Sequence, residues 1–508
     1  MKLGQLLEGV PLAVGLSAGA AEMEVRGLEY DSRRVEAGFV FFAFPGAHSD
    51  GRQFAATALA QGAVAVACES PKPDGVEAPW IQVLHGREAL ARMSRAFYDR
   101  PDEALKLTGV TGTNGKTTTV YLIDAMLRAS GALTGMVGTI LYHVAGEERA
   151  AVNTTPESLD LMRLMAETRD RGGSYFDFEV SSHALALRRV FGLSFHTVVF
   201  TNLTRDHLDY HGTMDSYFEA KRLLFEGAGG APPRAAVLNA DNSWCARIRT
   251  RDETQRLTYS ARSAAETPSA DLRAMQVESG FKGVSFRVLH NGKKTRIHSP
   301  LCGLINVYNL LAAFGAGLSL GIEAQQAAEG LASLAAVPGR FEGIDEGQPF
   351  LVIVDYAHTD DALRNVILTA RALKPRHIIT LFGCGGDRDR TKRPLMGSAA
   401  SELSDLVVVT SDNPRSEDPL AIINDAMVGV QRHSTRAIVE PDRRVAIRRA
   451  LREAAPGDIV IVAGKGHETY QVLRDRVIDF DDRTEARMAL REFGYHKKSH
   501  AENGGGHS

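Results

Sequence analysis

The stretch LKLTGVTGTNGKTTTVYLIDAMLRASG constrains this chain more than any other part of it. It reads as a strand ending near Val110, a glycine-bearing loop, and a helix whose apolar positions Val120, Ile123, Met126 and Leu127 keep helical spacing up to Gly131. A strand running through a tight loop into a helix is the unit of a parallel α/β sheet, and that context turns a glycine loop into a phosphate cradle. Gly112 and Gly115 let backbone N–H groups face an anion, the helix N-terminus adds partial positive charge, Lys116 reaches terminal phosphates, and Thr117 can ligate magnesium. Five residues before Gly115 stands Val110 rather than the glycine of the common loop, so this is a shorter G-x-x-G-K-T version. The bland alternative is a glycine turn that merely opens a helix, and the strand before and the helix after favour nucleotide binding over it.

The rest of the chain carries the same alternation. With 508 residues it is too long for one core, and three domains are expected. Residues 1–100 alternate short apolar runs such as GFVFFAF and GAVAVA with turns, predicting a small α/β domain. Residues 101–337 form the central and largest domain around the loop. From residue 338 the runs FLVIVDYAH, HIITLFGCGG, DLVVVTSDNPR and DIVIVAGKGHE, with helical stretches between them, predict a Rossmann-like, doubly wound parallel sheet to about residue 496. The last dozen residues, 497–508, have nothing to bury and are expected to be a disordered tail. A net charge of −3 gives no field for nucleic acid, the N-terminal apolar run is broken by Glu8 and Pro11, and membrane insertion is not expected. The four cysteines lack metal or disulfide spacing, which fits a reducing, cytoplasmic setting.

Three further segments carry chemistry. The strand FDFEVSSHAL puts Glu179 at its C-terminal end, where open parallel sheets build ligand sites, so Glu179 is a magnesium candidate. The segment TNLTRDHLDYHG offers Asp206, His207, Asp209 and His211. Histidine is an unusual magnesium ligand, and the residues alone leave His207 between a loop role and a metal role. In DSYFEAKRLLFEG, Lys221 follows Tyr217 by one helical turn and precedes Leu224 and Phe225, which predicts partial burial. A buried ammonium without a partner is costly, while a lysine that snorkels to water is common.

In this order, TGTNGKTTT, EVSSHAL, TNLTRDHLDYHG and YFEAKRLLF resemble the Mur ligases, and the likeness spans nearly the whole chain. The resemblance implies ATP contacts from Gly112, Thr113, Asn114, Gly115, Lys116, Thr117 and Thr118. It adds adenine and ribose contacts from Asn306 of GLINVYNLL, Arg340 of VPGRFE, and Asp355 and His358 of VDYAHTDDAL. Relatives usually carry proline where Asp360 follows Thr359, a change expected to matter little. YDSRRVEAGFVFFAFPGAHSDGRQF is similar to a uridine-nucleotide domain, implicating Ser32 and the loop Ala47, His48 and Ser49. Asn153, Thr154, Thr155, Ser181 and Arg189 would hold the muramoyl peptide. The catalytic set carried over is Lys116, Glu179, His207 and Lys221, with Lys221 carbamylated by CO₂ so that it joins Thr117, Glu179 and His207 around two magnesium ions.

For the added amino acid, SDNPR, GGDRDR and AGKGHE imply a pocket of Arg388, Asp412, Asn413, Pro414, Arg415, Gly464 and Glu468. Diaminopimelate is a lysine with a second carboxylate at its far end, and an arginine can grip that carboxylate through two parallel hydrogen bonds. The implied activity is therefore ATP-dependent addition of meso-diaminopimelate to UDP-N-acetylmuramoyl-L-alanyl-D-glutamate through an acyl phosphate, by a monomer. A lysine-adding or folylpolyglutamate-forming relative would share the phosphate loop, but the latter would lack the motif around Ser32. A nucleotide sensor without catalysis would have no reason to keep Lys116, Glu179, His207 and Lys221 together.

Overall fold

The computed structural model describes residues 1–46, 50–267 and 269–496. The chain forms two compact units, one of residues 1–273 with 311–330, the other of residues 274–310 with 331 onward. The proposed uridine loop 47–49 and the tail 497–508 lie outside the described residues.

The first unit opens with a four-stranded parallel sheet in sequential order, β1 (Gly27–Glu29), β2 (Phe39–Ala43), β3 (Ala65–Cys68) and β4 (Trp80–Gln82). Then follow β5 (Lys106–Thr111), β6 (Thr134–Val137), β7 (Leu141–Val144), β8 (Glu147–Ala150), β9 (Tyr175–Glu179), β10 (Phe195–Phe200), β11 (Ala235–Asn239), β12 (Gln255–Ser260) and β13 (Leu272–Gly280). Their order across the sheet is β13-β12-β11-β10-β5-β9-β6-β7-β8, parallel except at the β6–β7–β8 edge. The strand β5 lies between β9 and β10, so the chain leaves it toward one side and later returns to the other. That reversal opens a crevice at the carboxyl ends of the strands.

Both faces of this sheet are covered, which is why its strands read as apolar runs rather than alternating ones. On one face the helix Lys116–Ala129 buries Val120, Ile123, Met126 and Leu127 at the predicted spacing. On the other, Phe176, Phe178, Val198 and Phe200 pack with Met162 and Met165 of the helix Ser158–Asp170 and with Tyr217 and Phe218.

In the second unit, β14 (Gly283–His290) and β15 (Lys293–Ser299) form an antiparallel hairpin. A six-stranded sheet follows, built from β16 (Glu342–Ile344), β17 (Leu351–Asp355), β18 (Ile378–Cys384), β19 (Leu406–Ser411), β20 (Arg436–Val439) and β21 (Ile459–Ala463) in the order β16-β17-β21-β18-β19-β20. Only β16 runs antiparallel. Ile353, Phe382 and Ile461 face one core while Val352, Leu381 and Val460 face a second, so the sheet is doubly wound as expected. Its reversal brings the ends of β18, β19 and β21 together.

A buried ion pair stabilises that end. Arg443 and Asp482, both fully buried, meet at 2.7 Å, and the same guanidinium donates to the carbonyls of Ser411 and Ala463, the last residues of β19 and β21. Removing one partner would leave the other charge stranded, at about 3–5 kcal/mol. No described helix is long and apolar enough to cross a membrane.

Candidate active site

The loop after β5 is held by the segment after β10. Thr113 N–H donates to the Asn202 carbonyl at 2.9 Å and Asn114 N–H to Asn202 Oδ1 at 2.9 Å, while Thr201 Oγ1 donates to the Asn114 carbonyl at 2.7 Å. Gly112 has to be glycine: its φ is +150°, and a Cβ would stand 1.9 Å from Thr201 Oγ1. Gly115, at φ +88°, precedes the helix directly, and Thr117 and Thr118 are buried in its first turn. Lys116 Nζ folds back onto the carbonyls of Gly112 and Thr113, both at 2.9 Å. Thr201, Asn202 and Thr204 were not singled out from the sequence, although TNLT directly follows a strand that ends at the same edge.

Lys221 is buried more deeply than the partial burial expected, at 2% exposure. Its Nζ donates to the Gly112 carbonyl at 2.8 Å and approaches Thr111 Oγ1 at 3.5 Å, with the Tyr217 ring 4.7 Å away. The carbonyl that serves Lys221 also serves Lys116. Burial, and then the like charge of Lys116, hold the Lys221 amine well below the ordinary lysine range. That setting favours the uncharged amine over the ammonium.

Glu179, 1% exposed, closes β9 and accepts the Thr139 N–H through Oε1 at 2.7 Å. Val110 is its partner in β5, which sets it beside the loop. His207 sits at φ +52° ahead of the short helix Leu208–His211, its ring 4.9 Å from that of His183 and 6.0 Å from Tyr217. Desolvation lowers its pKa to about 4 against the opposing pull of Asp206, so the imidazole is neutral. Among the described residues no three His, Cys, Asp or Glu side chains gather as a preformed metal cluster. A threonine hydroxyl, a carboxylate and a neutral imidazole are all donors that fit a divalent cation, whereas Lys221 fits only when its nitrogen carries a carboxylate.

The proposed peptide-binding residues join the same edge. Thr155 Oγ1 donates to the Glu179 carbonyl at 2.7 Å and accepts from Ser181 N–H at 3.1 Å, and Arg189 donates to the Thr155 carbonyl at 2.8 Å and to Glu157 at 3.0 Å. Asn153 is clamped by the Tyr142 hydroxyl, and Thr154 meets Thr139 Oγ1 at 3.1 Å. Ser32 lies apart from these contacts, opening the turn Ser32–Arg34 capped by Asp31.

In the second unit, Arg340 lies 5.0 Å from the Tyr356 ring, which also contacts His358 and His467 at 4.6 and 4.9 Å. Asp355 is spoken for by backbone, with its two oxygens accepting Phe341 and Ala357 N–H at 2.7 and 2.8 Å. Asn306 likewise spends its amide on Cys302 and Asn309. Asp360 is well tolerated without proline, because Thr359 caps the helix Asp360–Ala372 and Asp360 and Asp361 sit at its positive end.

At the ends of β18, β19 and β21 lies a cavity of about 370 Å³ walled by Arg388, Asp412, Asn413, Arg415, Gly464 and Glu468, with Tyr356, Cys384, Met396 and Tyr470. Arg415 donates to the Gly386 carbonyl at 2.8 Å. Pro414, expected in this pocket, is absent from its wall: its carbonyl abuts Gly386 and its ring lines a separate groove with Ser411 and Arg443. Lys465, unremarked in the sequence, is buried beneath the cavity.

Three segments of the chain match known families. Residues 24–98 match the Mur ligase family catalytic domain, residues 110–317 the Mur ligase middle domain, and residues 339–466 the Mur ligase glutamate ligase domain. The UDP-N-acetylmuramoyl-L-alanyl-D-glutamate–2,6-diaminopimelate ligase of Solibacter usitatus is 61% identical, over 98% of this chain and 100% of its own. That of Geobacillus thermodenitrificans is 45% identical over 97% and 100%. A solved structure of an enzyme with the same name superposes with a TM-score of 0.70 at 33% identity, covering 97% of this chain and 100% of the other. The MurF ligase of Thermotoga maritima in complex with ADP, at 18% identity and a TM-score of 0.60, covers 88% and 94% and shares the fold.

Proposed function

The chain belongs to the Mur ligase family of ATP-dependent amide-forming enzymes, and from that premise we propose that it joins meso-diaminopimelate to UDP-N-acetylmuramoyl-L-alanyl-D-glutamate in the cytoplasm, as a monomer, during cell-wall precursor synthesis. The observation that carries the choice of amino acid is the cavity at β18, β19 and β21. It sets basic side chains, Arg388, Arg393 and Arg415 among them, and the carboxylates of Asp412 and Glu468 around a space of about 370 Å³, a lining of both signs that suits an amino acid with carboxylate and ammonium groups at both ends.

In the first half-reaction the free carboxylate of the D-glutamate attacks the γ-phosphorus of ATP, giving an acyl phosphate and ADP. In the second, the amine attacks the acyl carbon, the C–N bond forms, the C–O bond to phosphate breaks, and a proton leaves the nitrogen. The protein positions and neutralises. Lys116 swings from the loop carbonyls to the β- and γ-phosphates, backbone N–H groups around Gly112 to Gly115 cradle them, and Arg189 with Ser181 and Thr155 holds the peptide. Magnesium, when bound, offsets the phosphate charge; Thr117, Glu179, His207 and carbamylated Lys221 are the residues suited to hold it. The lowered pKa of the Lys221 amine supports the modification, since the lone pair of an uncharged amine can add to CO₂ with loss of one proton to give a carbamate anion.

The test is phosphate release by the purified enzyme. It should require both the UDP-muramoyl dipeptide and diaminopimelate, and release without the amino acid, or equal release with lysine, would overturn the reading.

A further inference from the structure

Beneath the amino-acid cavity a single ammonium group organises the polar side chains above it. Lys465 is fully buried, and the groups its Nζ meets at hydrogen-bond or ion-pair distance are polar. It donates to Asn413 Oδ1 at 3.1 Å and to Glu468 Oε2 at 3.1 Å, and it stands 3.5 Å from Asp412 Oδ1, a buried oxygen that has no hydrogen bond. Asn413 is locked in turn, donating through Nδ2 to Glu468 Oε2 at 2.9 Å and accepting Val472 N–H through Oδ1 at 2.9 Å. The turn carrying the lysine is shaped to point it inward: Gly464, at φ +117°, lets the backbone swing back over Asp412, whose Oδ2 would lie 3.3 Å from a Cβ there.

We propose that Lys465 is a positioning residue for the amino-acid substrate, fixing Asn413 and Glu468 in place and matching one of the two carboxylates that converge on its nitrogen. Glu468 also lines the cavity, where its carboxylate can receive an ammonium group of the incoming amino acid. Without Lys465, two carboxylates would face each other with no cation between them. Glu468 would lose one of the two donors to its Oε2, and Asp412 Oδ1 would lose the ammonium 3.5 Å away.

This inference rests on the reading of the cavity as the diaminopimelate site, and steady-state kinetics separate the two. If the unaltered enzyme fails to release phosphate in response to diaminopimelate, the reading of the cavity falls. If it responds, Lys465→Met and Lys465→Gln test the lysine alone. We expect Lys465→Met to raise the KM for diaminopimelate about tenfold or more, the weight of one charge-assisted hydrogen bond, with Lys465→Gln intermediate because its amide still donates. The KM values for ATP and the UDP-muramoyl dipeptide, and kcat at saturating diaminopimelate, should stay within about threefold. An unchanged KM for diaminopimelate, a parallel rise for all three substrates, a loss confined to kcat, or failure of both variants to fold would each assign the lysine to the fold and overturn the proposal.

Discussion

Replacing Arg415 by alanine removes the group best placed to recognise the far carboxylate of diaminopimelate. One N–H of its guanidinium is engaged with the Gly386 carbonyl at 2.8 Å, and the side chain lines the cavity wall. Its backbone sits at φ +51°, a strained conformation that alanine carries as well, so the substitution changes the side chain without adding new backbone cost. A hydrogen bond to a charged group contributes about 1.5–3 kcal/mol, and about 1.4 kcal/mol is a factor of ten. Loss of one bond to the carboxylate therefore raises the KM for meso-diaminopimelate about ten- to hundredfold, and loss of a parallel pair raises it further. Lysine has no carboxylate there, so its KM should barely move, and the preference for diaminopimelate should shrink by the same factor. Steady-state phosphate release with each amino acid, ATP and dipeptide held saturating, measures both. Unchanged discrimination in the variant, or a preference for lysine in the unaltered enzyme, would refute the clamp.

Lys116→Ala should lower kcat by about 10²–10³-fold through loss of charge at the transferring phosphate, while calorimetry should find binding of the UDP-muramoyl dipeptide intact; a parallel loss of that binding would contradict the division of labour. Lys221→Ala should abolish ligation with the fold retained by circular dichroism, and intact-mass analysis of the native protein kept in bicarbonate should find the added carboxyl group; full activity in the variant would sink the assignment. Asp177, wholly buried in β9, is held well above the ordinary carboxylate range by burial, against the opposing pull of the Thr108 hydroxyl. The folded state thus keeps a proton that the unfolded chain releases above about pH 4, so stability contributed by this group is full below that pH and falls as pH rises toward the raised pKa. Asp177→Asn should flatten the melting temperature against pH over that window, and an unchanged slope would show that Asp177 is not the titrating group.

The architecture was legible because parallel sheets covered on both faces must be written as apolar runs separated by helical stretches, and β17, β18, β19 and β21 fell where FLVIVDYAH, HIITLFGCGG, DLVVVTSDNPR and DIVIVAGKGHE placed them. The phosphate loop was legible for a similar reason: its glycines, lysine and threonine are contiguous. What could not be read was any role set by distant partners. Nothing in TNLT announces that Asn202 grips Thr113 and Asn114, and nothing in DYAH tells that Asp355 accepts the backbone amides of Phe341 and Ala357. Pro414 shows the same limit in reverse, since adjacency to Asn413 and Arg415 in sequence does not put it on the same wall once the chain turns at Arg415.

The two buried lysines show how one residue type is steered to opposite ends by its neighbours. Lys465 is surrounded by the carboxylates of Asp412 and Glu468 and the amide oxygen of Asn413, so its charge is matched where it lies. Lys221 has a backbone carbonyl, a distant hydroxyl, an aromatic face and, on the same carbonyl, the ammonium of Lys116. Burial costs both of them hydration, and at Lys221 the like charge of Lys116 adds to that cost while Asp206 opposes it, so its amine is held well below the ordinary lysine range. Conversion to a carbamate would invert that balance, putting an anion beside Lys116 where two amino groups share one carbonyl. The position that is most strained for an unmodified lysine is therefore the one where a carboxylated nitrogen gains the most.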